Sequence, residues 1–104
     1  MAITLQGRLI TFTAVNEGIR FGGSRRTLLS LTFRGTGLTA AQRLTVRDTS
    51  TPGTGNIVAD YTVEAATDNA DLWGNRKPQR IAGLAIDNNT VAGTWVLTAT
   101  IEGG

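Results

Sequence analysis

Alternating apolar and polar residues recur along the chain and predict half-buried β-strands. The clearest alternation covers residues 95–101, where every second side chain is apolar. Similar alternation covers residues 29–33 and residues 57–63, and the latter follow a run rich in turn-forming glycine and proline. Because such strands have one polar face, they are typical of antiparallel sheets packed face to face.

Less regular stretches complete the predicted set of strands. The apolar positions change phase near residues 7–10, which predicts one long first strand with a bulge or bend at that point. Residues 16–26 predict a loop or hairpin connection that contains a short edge segment at 19–21. Further strands are predicted at 43–47 and 81–87. In all, about six to eight short strands predict an all-β fold, an antiparallel β-sandwich that is jelly-roll-like.

Size and composition predict a single domain over residues 1–104. A chain of 104 residues can bury one core but not two. Hydrophobic residues make up 40% of it, as in ordinary folded proteins. Its 13 glycines and 17 threonines are typical of strands joined by tight turns. The composition therefore agrees with the strand pattern.

The residue types that are absent from the chain exclude several kinds of metal site and catalytic site. The chain has no cysteine and no histidine, and so no thiolate or imidazole metal ligand, no cysteine nucleophile and no Ser-His-Asp triad. The remaining enzymatic alternative is a carboxylate pair for glycoside hydrolysis, drawn from Asp60, Glu64, Asp68 and Asp71. We expect these acids to be solvated, as most carboxylates are. We predict no enzymatic activity, no metal and no cofactor.

Charge and targeting features point to a protein partner. Ten basic residues against eight acidic ones give a net charge of only +2, which argues against nucleic acid as the partner. Nine of the ten are arginine, a residue suited to planar contacts with protein carboxylates as well as with phosphates, and enriched at protein interfaces. No apolar run reaches the length of about 18 residues that spans a membrane. The first residues show no secretory signal, and we expect a product made in the cytoplasm.

The segment 65–80 follows neither strand nor helix periodicity and is expected to be structureless. A stretch of this length without regular structure inside a small domain indicates function or partner contact. Trp73 has two interpretations: it is a plug that folds the segment back onto the sandwich, or an anchor for a partner, since Trp and Arg dominate interface energetics. The candidate interface residues are those of this segment together with two arginines of the 16–26 loop, namely Trp73, Arg76, Lys77, Arg80, Arg25 and Arg26.

Several segments together resemble the small all-β virion proteins of tailed bacteriophages, the decoration or cement proteins that sit on the assembled shell. These segments are residues 29–35, 44–48, 57–61, 81–86 and 93–97. The resemblance is one of layout: a short chain that is rich in threonine and glycine and free of catalytic constellations.

The resemblance implies a structural role on the virion. It implies a decoration or cement protein that is made in the host cytoplasm, lies on the capsid surface, forms a homo-oligomer and binds the major capsid protein. The candidate interface residues are then expected to contact the shell or a sister subunit. The alternatives are another virion component of the neck, tail or fibre base, and a free-standing module that binds a glycan or a surface. A nucleic-acid binder and an enzyme rank below these.

Overall fold

The described part of the chain is built from β-strands. The computed structural model describes residues 3–21, 25–49, 51, 53–74, 76–88 and 91–102. These ranges hold ten strands and no helix, and so none that is long and apolar enough to cross a membrane. The strands are β1 (Ile3–Gln6), β2 (Leu9–Phe12), β3 (Glu17–Arg20), β4 (Arg26–Thr36), β5 (Arg43–Asp48), β6 (Asn56–Thr62), β7 (Asp68–Asp71), β8 (Gln79–Ile81), β9 (Gly83–Ile86) and β10 (Thr94–Glu102).

The strands form two antiparallel sheets with the connectivity of a jelly roll. The first sheet has the order β1-β2-β10-β4-β7, with β8 also paired to β4, and the second sheet has the order β3-β9-β5-β6. Along the chain, β2, β3, β4 and β5 pair in turn with β10, β9, β8 or β7, and β6. This is one long antiparallel hairpin rolled up so that successive pairs alternate between the sheets. The predicted jelly-roll-like β-sandwich is confirmed.

The structure has more strands than the alternation predicts, because the segment 65–80 is not structureless. Its residues 68–71 form β7 and its last residues begin β8, and both strands hydrogen-bond to β4. The first predicted strand is also two strands rather than one bent strand. Gly7 adopts a φ of 61°, and a two-residue turn reverses the chain so that Gln6 lies opposite Leu9.

The strand predicted at 81–87 is wrong in a similar way, because the chain changes sheets at Ala82. Ile81 ends β8 in the first sheet, whereas Gly83 begins β9 in the second. The carboxylate of Asp48 accepts hydrogen bonds from the backbone N–H groups of Ala82 (2.8 Å) and Gly83 (3.4 Å) and so holds this crossing. Residues 22–24 of the predicted 16–26 loop lie outside the described residues, but its edge segment is confirmed as β3.

The core lies between the two sheets. Every second residue of β10, from Trp95 to Ile101, is buried, as the alternation predicts. Phe33 of β4 lies at its centre, with ring centroids 5.9 Å from Trp95 and 5.6 Å from Tyr61. Each buried side chain of this size contributes about 1.5–3 kcal/mol relative to its exposed state. This packed core therefore stabilises the two sheets that carry the surface residues.

Candidate interaction site

Trp73 is part of the core. Its side chain is 3% exposed and belongs to the same buried cluster as the strand residues. The carboxylate of Asp71 accepts hydrogen bonds from the N–H groups of Trp73 (3.1 Å) and Gly74 (2.9 Å), and this turn aims the indole inward. The structure therefore agrees with the plug interpretation of Trp73. A folded chain leaves this side chain almost no surface to offer a partner.

The segment 65–80 is first attached to the sandwich through β7. Three of the four residues of β7 are polar, but the strand pairs with β4, and the N–H group of Leu72 then donates to the carbonyl of Leu31 at 2.8 Å. The indole that follows has an unusual feature, because its Nε1 is buried and has no hydrogen-bond partner among the described residues. An unpaired buried donor costs about 1–3 kcal/mol, which packing of the large ring offsets.

Arg76 is engaged within the chain. Its guanidinium carbon lies 4.1 Å from the centre of the Trp73 ring, a cation–π contact. Its Nη1 donates to the carbonyl oxygen of Val58, on the edge strand β6, at 2.6 Å. Arg76 thus covers the plug and joins it to the second sheet, although much of the side chain is exposed.

Arg25, Arg26 and Arg80 come together at one end of the first sheet, and we call these three residues the basic corner. The pairing of β4 with β8 places Thr27 opposite Arg80 and Arg26 opposite Ile81. Nη2 of Arg80 donates to the carbonyl oxygen of Arg25 at 3.4 Å. The two loops that the sequence identifies separately therefore meet at this corner.

The members of the basic corner differ in orientation. Arg25 and Arg80 are exposed, and so is Lys77, three residues before Arg80. Arg26 is half-buried because it lies on the same side of the sheet as buried Ile81, and its guanidinium carbon sits 5.8 Å from the Phe21 ring centre. Arg25 and Arg80 are therefore the positive charges that this corner presents most openly.

No ion pair neutralises the basic corner within the described ranges. The two ion pairs found there are Arg43 with Asp60 and Arg47 with Asp87, and both belong to the second sheet and its loops. Glu102 lies opposite Thr27 on the far side from Arg80. Two strand spacings separate the backbones of Glu102 and Arg80 by about 10 Å, and no ion pair joins their side chains in the described part of the chain. The corner therefore keeps a local positive charge.

Three of the four carboxylates considered for catalysis, those of Asp60, Asp68 and Asp71, have structural partners. Asp60 pairs with Arg43, and Asp68 accepts hydrogen bonds from the Tyr61 hydroxyl and from the Glu64 N–H. The Tyr61 hydrogen bond and the backbone N–H groups lower the pKa of Asp68, so this group stays ionised near neutral pH and is a poor proton donor. Burial, followed by Asp68, raises the pKa of Tyr61 to about 12. Among the described residues no group of three acids could hold a metal ion.

A shallow groove on the outer face of the first sheet was not predicted. Arg34 of β4 lies opposite Asn69 of β7, and both line two adjoining depressions of about 470 and 450 Å³. The other polar residues that line them include Thr13, Thr32, Thr36, Thr67, Asp71 and Thr94. The alternation of β4 places Arg34 on this face, but Asn69 and Asp71 belong to the segment expected to be structureless. The side of the groove formed by the segment 65–80 was therefore not predicted from the sequence.

The fold and these surfaces define a jelly-roll β-sandwich with a basic corner that has no ion pair within the described ranges. Comparison with known protein families, with curated proteins and with solved structures finds no match.

Proposed function

We propose that this chain is a non-enzymatic capsid decoration or cement protein that binds the major capsid protein of a tailed bacteriophage and stabilises the shell. The observation that carries the proposal is the basic corner, where Arg25 and Arg80 are exposed and unpaired within the described ranges. The layout of the strand segments supports the same class, since they form the two packed sheets of a jelly-roll sandwich.

The basic corner supplies a mechanism for docking. Arginine forms planar, bidentate contacts with carboxylates, so an acidic patch on the shell surface is the partner that fits the corner. Lys77 adds a third exposed cation nearby. Each such contact is weak alone, but many copies on one shell, or several contacts per oligomer, strengthen binding by avidity. A rigid sandwich held in this way bridges neighbouring shell subunits.

The test compares binding of variants to shells that lack this protein. In an Arg25→Glu/Arg80→Glu variant the corner repels an acidic patch, so we expect at least about a tenfold loss of affinity in co-sedimentation. Arg34→Glu is the matched control, because Arg34 is also exposed and outside the ion pairs of the described ranges. The control should bind as the wild type does. Equal binding by the double variant and the wild type would overturn the docking surface.

The groove around Arg34 and Asn69 favours a second candidate, a glycan-binding module. Guanidinium, amide, carboxylate and hydroxyl groups on one face suit the hydroxyls of a sugar. Against it, all six aromatic side chains are buried or half-buried, so no open ring offers a stacking platform. Glycan-array binding that Arg34→Ala removes, with shell binding absent, would favour this candidate over the capsid role.

A further inference from the structure

The four edges of the two sheets differ in charge, and β1 stands apart. The edges are β1 and β7 with β8 in the first sheet, and β3 and β6 in the second. Every edge except β1 carries at least one charged residue within its strand in the described part of the chain. The charged residues are Asp68, Asp71, Arg80, Glu17, Arg20 and Asp60. The residues of β1 are Ile3, Thr4, Leu5 and Gln6.

Charges on edge strands are a known defence against pairing with other chains. The β6 edge has a second defence, because Arg76 donates to the Val58 carbonyl there. In the described part of the chain, the strand pairs of β1 are with β2 alone. Among the described residues, no strand pairs with the other side of β1, and β1 itself carries no charged residue.

Exposed apolar side chains concentrate at the same place. Of the three large hydrophobic residues that are exposed in the described ranges, Leu5 (46%) and Leu9 (47%) lie on the β1–β2 hairpin. The third, Ile57 (53%), lies on β6. Leu5 shares the inward face with Ile3, since it lies opposite buried Ile10. An added strand would cover Ile3 and Leu5 on the inner side of β1, whereas Leu9, opposite Gln6, lies on the outer face of the sheet.

We propose that β1 pairs antiparallel with β1 of a second copy about a two-fold axis, so that two first sheets join into one continuous sheet. With Thr4 opposite Thr4 of the second copy, Ile3 faces Leu5 on the inner side of the sheet. The row of hydroxyls formed by Thr98, Thr11 and Thr4 on the outer side then continues into Thr4 of the second copy. This inference is independent of the capsid role.

A second copy fits this edge better than an unrelated strand for two reasons. The strand is identical in length and in its alternation of faces, so apolar meets apolar and polar meets polar without adjustment. It also has no charge to repel itself, and a two-fold contact closes after one interface without building a fibre. The contact is small, and we therefore expect a dimer that forms with increasing concentration.

Sedimentation equilibrium from micromolar to millimolar protein tests the proposal. The wild type should form dimers, and Leu5→Lys should raise the dissociation constant at least about tenfold by placing like charges at the joint. Ile57→Lys is the matched control, since it changes an equally exposed apolar residue on another edge, and it should dimerise as the wild type does. A monomeric wild type, a dimer that Leu5→Lys leaves intact, or a dimer that Ile57→Lys abolishes would each overturn the proposal.

An engineered thiol tests the register. The chain has no cysteine, so Thr4→Cys carries a single thiol. Directly opposite residues of antiparallel strands lie within disulfide range, and mild oxidation should yield a linked dimer. Thr98→Cys, in the middle of the first sheet, should remain unlinked. Dimers by sedimentation that Thr4→Cys does not link, or equal linking by Thr98→Cys, would contradict pairing through β1.

Discussion

Arg76 and Arg80 lie four residues apart, yet the structure uses them in opposite ways. Arg76 stacks on Trp73 and donates to the Val58 carbonyl, so its contacts hold the segment 65–80 on the sandwich. Arg80 is exposed, donates a hydrogen bond to the backbone carbonyl of Arg25 and has no ion pair within the described ranges. One end of the segment is therefore structural, and the other end is available to a partner.

The comparison shows why residue type alone does not identify an interface. Trp and Arg dominate protein interfaces because a large ring and a guanidinium form strong contacts when desolvated. The same contacts form equally well inside one chain, as Trp73 and Arg76 demonstrate. Strand pairing distinguishes a structural arginine from one that can contact a partner. Arg80 lies at the exposed basic corner because β8 pairs with β4.

The largest effect is expected from removing the plug. Trp73→Ala should lower the free energy of unfolding by about 3–5 kcal/mol, because it deletes a buried ring and leaves a cavity. Arg80→Ala should change it by less than about 0.5 kcal/mol, as exposed substitutions do. Urea unfolding measures both. A loss below about 1 kcal/mol for Trp73→Ala would mean that the segment is not held by this side chain.

The two arginines give the next largest contrast. Arg76→Ala should cost about 1–2 kcal/mol of stability, since it removes a cation–π contact and a hydrogen bond. Arg76→Lys should recover only part of this, because an ammonium group reproduces neither the planar stacking nor the geometry of the guanidinium. The same urea series, with Arg80→Ala as its reference, measures the difference. Equal stabilities of the Arg76→Ala and Arg80→Ala variants would remove the distinction drawn between the two ends.

The two tryptophans sharpen the comparison through their indole N–H groups. Nε1 of Trp95 donates to the Val91 carbonyl at 3.3 Å, whereas Nε1 of Trp73 is buried and unpartnered among the described residues. Trp95→Phe loses a hydrogen bond, and Trp73→Phe relieves an unpaired donor. We expect Trp95→Phe to be more destabilising by about 1 kcal/mol in thermal or urea unfolding. The reverse order would show that the Trp73 N–H has a partner in solution.

The smallest expected effect concerns the hydrogen bond that the Tyr61 hydroxyl donates to Asp68, near the start of the segment 65–80. Burial first and Asp68 second raise the pKa of Tyr61 to about 12, and Tyr61 is the single tyrosine, so the tyrosinate absorbance reports it alone. Because folding raises the pKa of Tyr61, the contribution of this group to the free energy of unfolding is fully present below its unfolded pKa of about 10. The contribution is lost as the pH rises through the folded pKa.

A substitution separates the two causes of that shift. Asp68→Asn should lower the Tyr61 pKa while leaving it above about 10, since burial, the larger cause, remains. In the chain unfolded in urea, Tyr61 should titrate with a pKa of about 10. Equal Tyr61 pKa values in the folded wild type and the folded Asp68→Asn variant would show that Asp68 does not hold Tyr61.

Strand alternation predicted the central strands of the first sheet and missed strands that form only through their pairing with a neighbour. β10 and β4 were readable because their own side chains alternate between core and solvent. β7 was not, since Asp68, Asn69 and Asp71 have low strand propensity and are extended only because β4 offers them hydrogen bonds. The basic corner needed the same long-range knowledge, because Arg25 and Arg80 meet only through the β4–β8 pairing. The interface role of its residues stays a prediction.

The capsid role is tested most directly by counting. Quantitative mass spectrometry of purified virions measures the copies of this chain for each copy of the major capsid protein. A decoration or cement protein gives a ratio near one or near a simple fraction set by the symmetry of the shell. A few copies per particle would instead place the chain in the neck, tail or fibre base, and its absence from the particles would contradict the virion role itself.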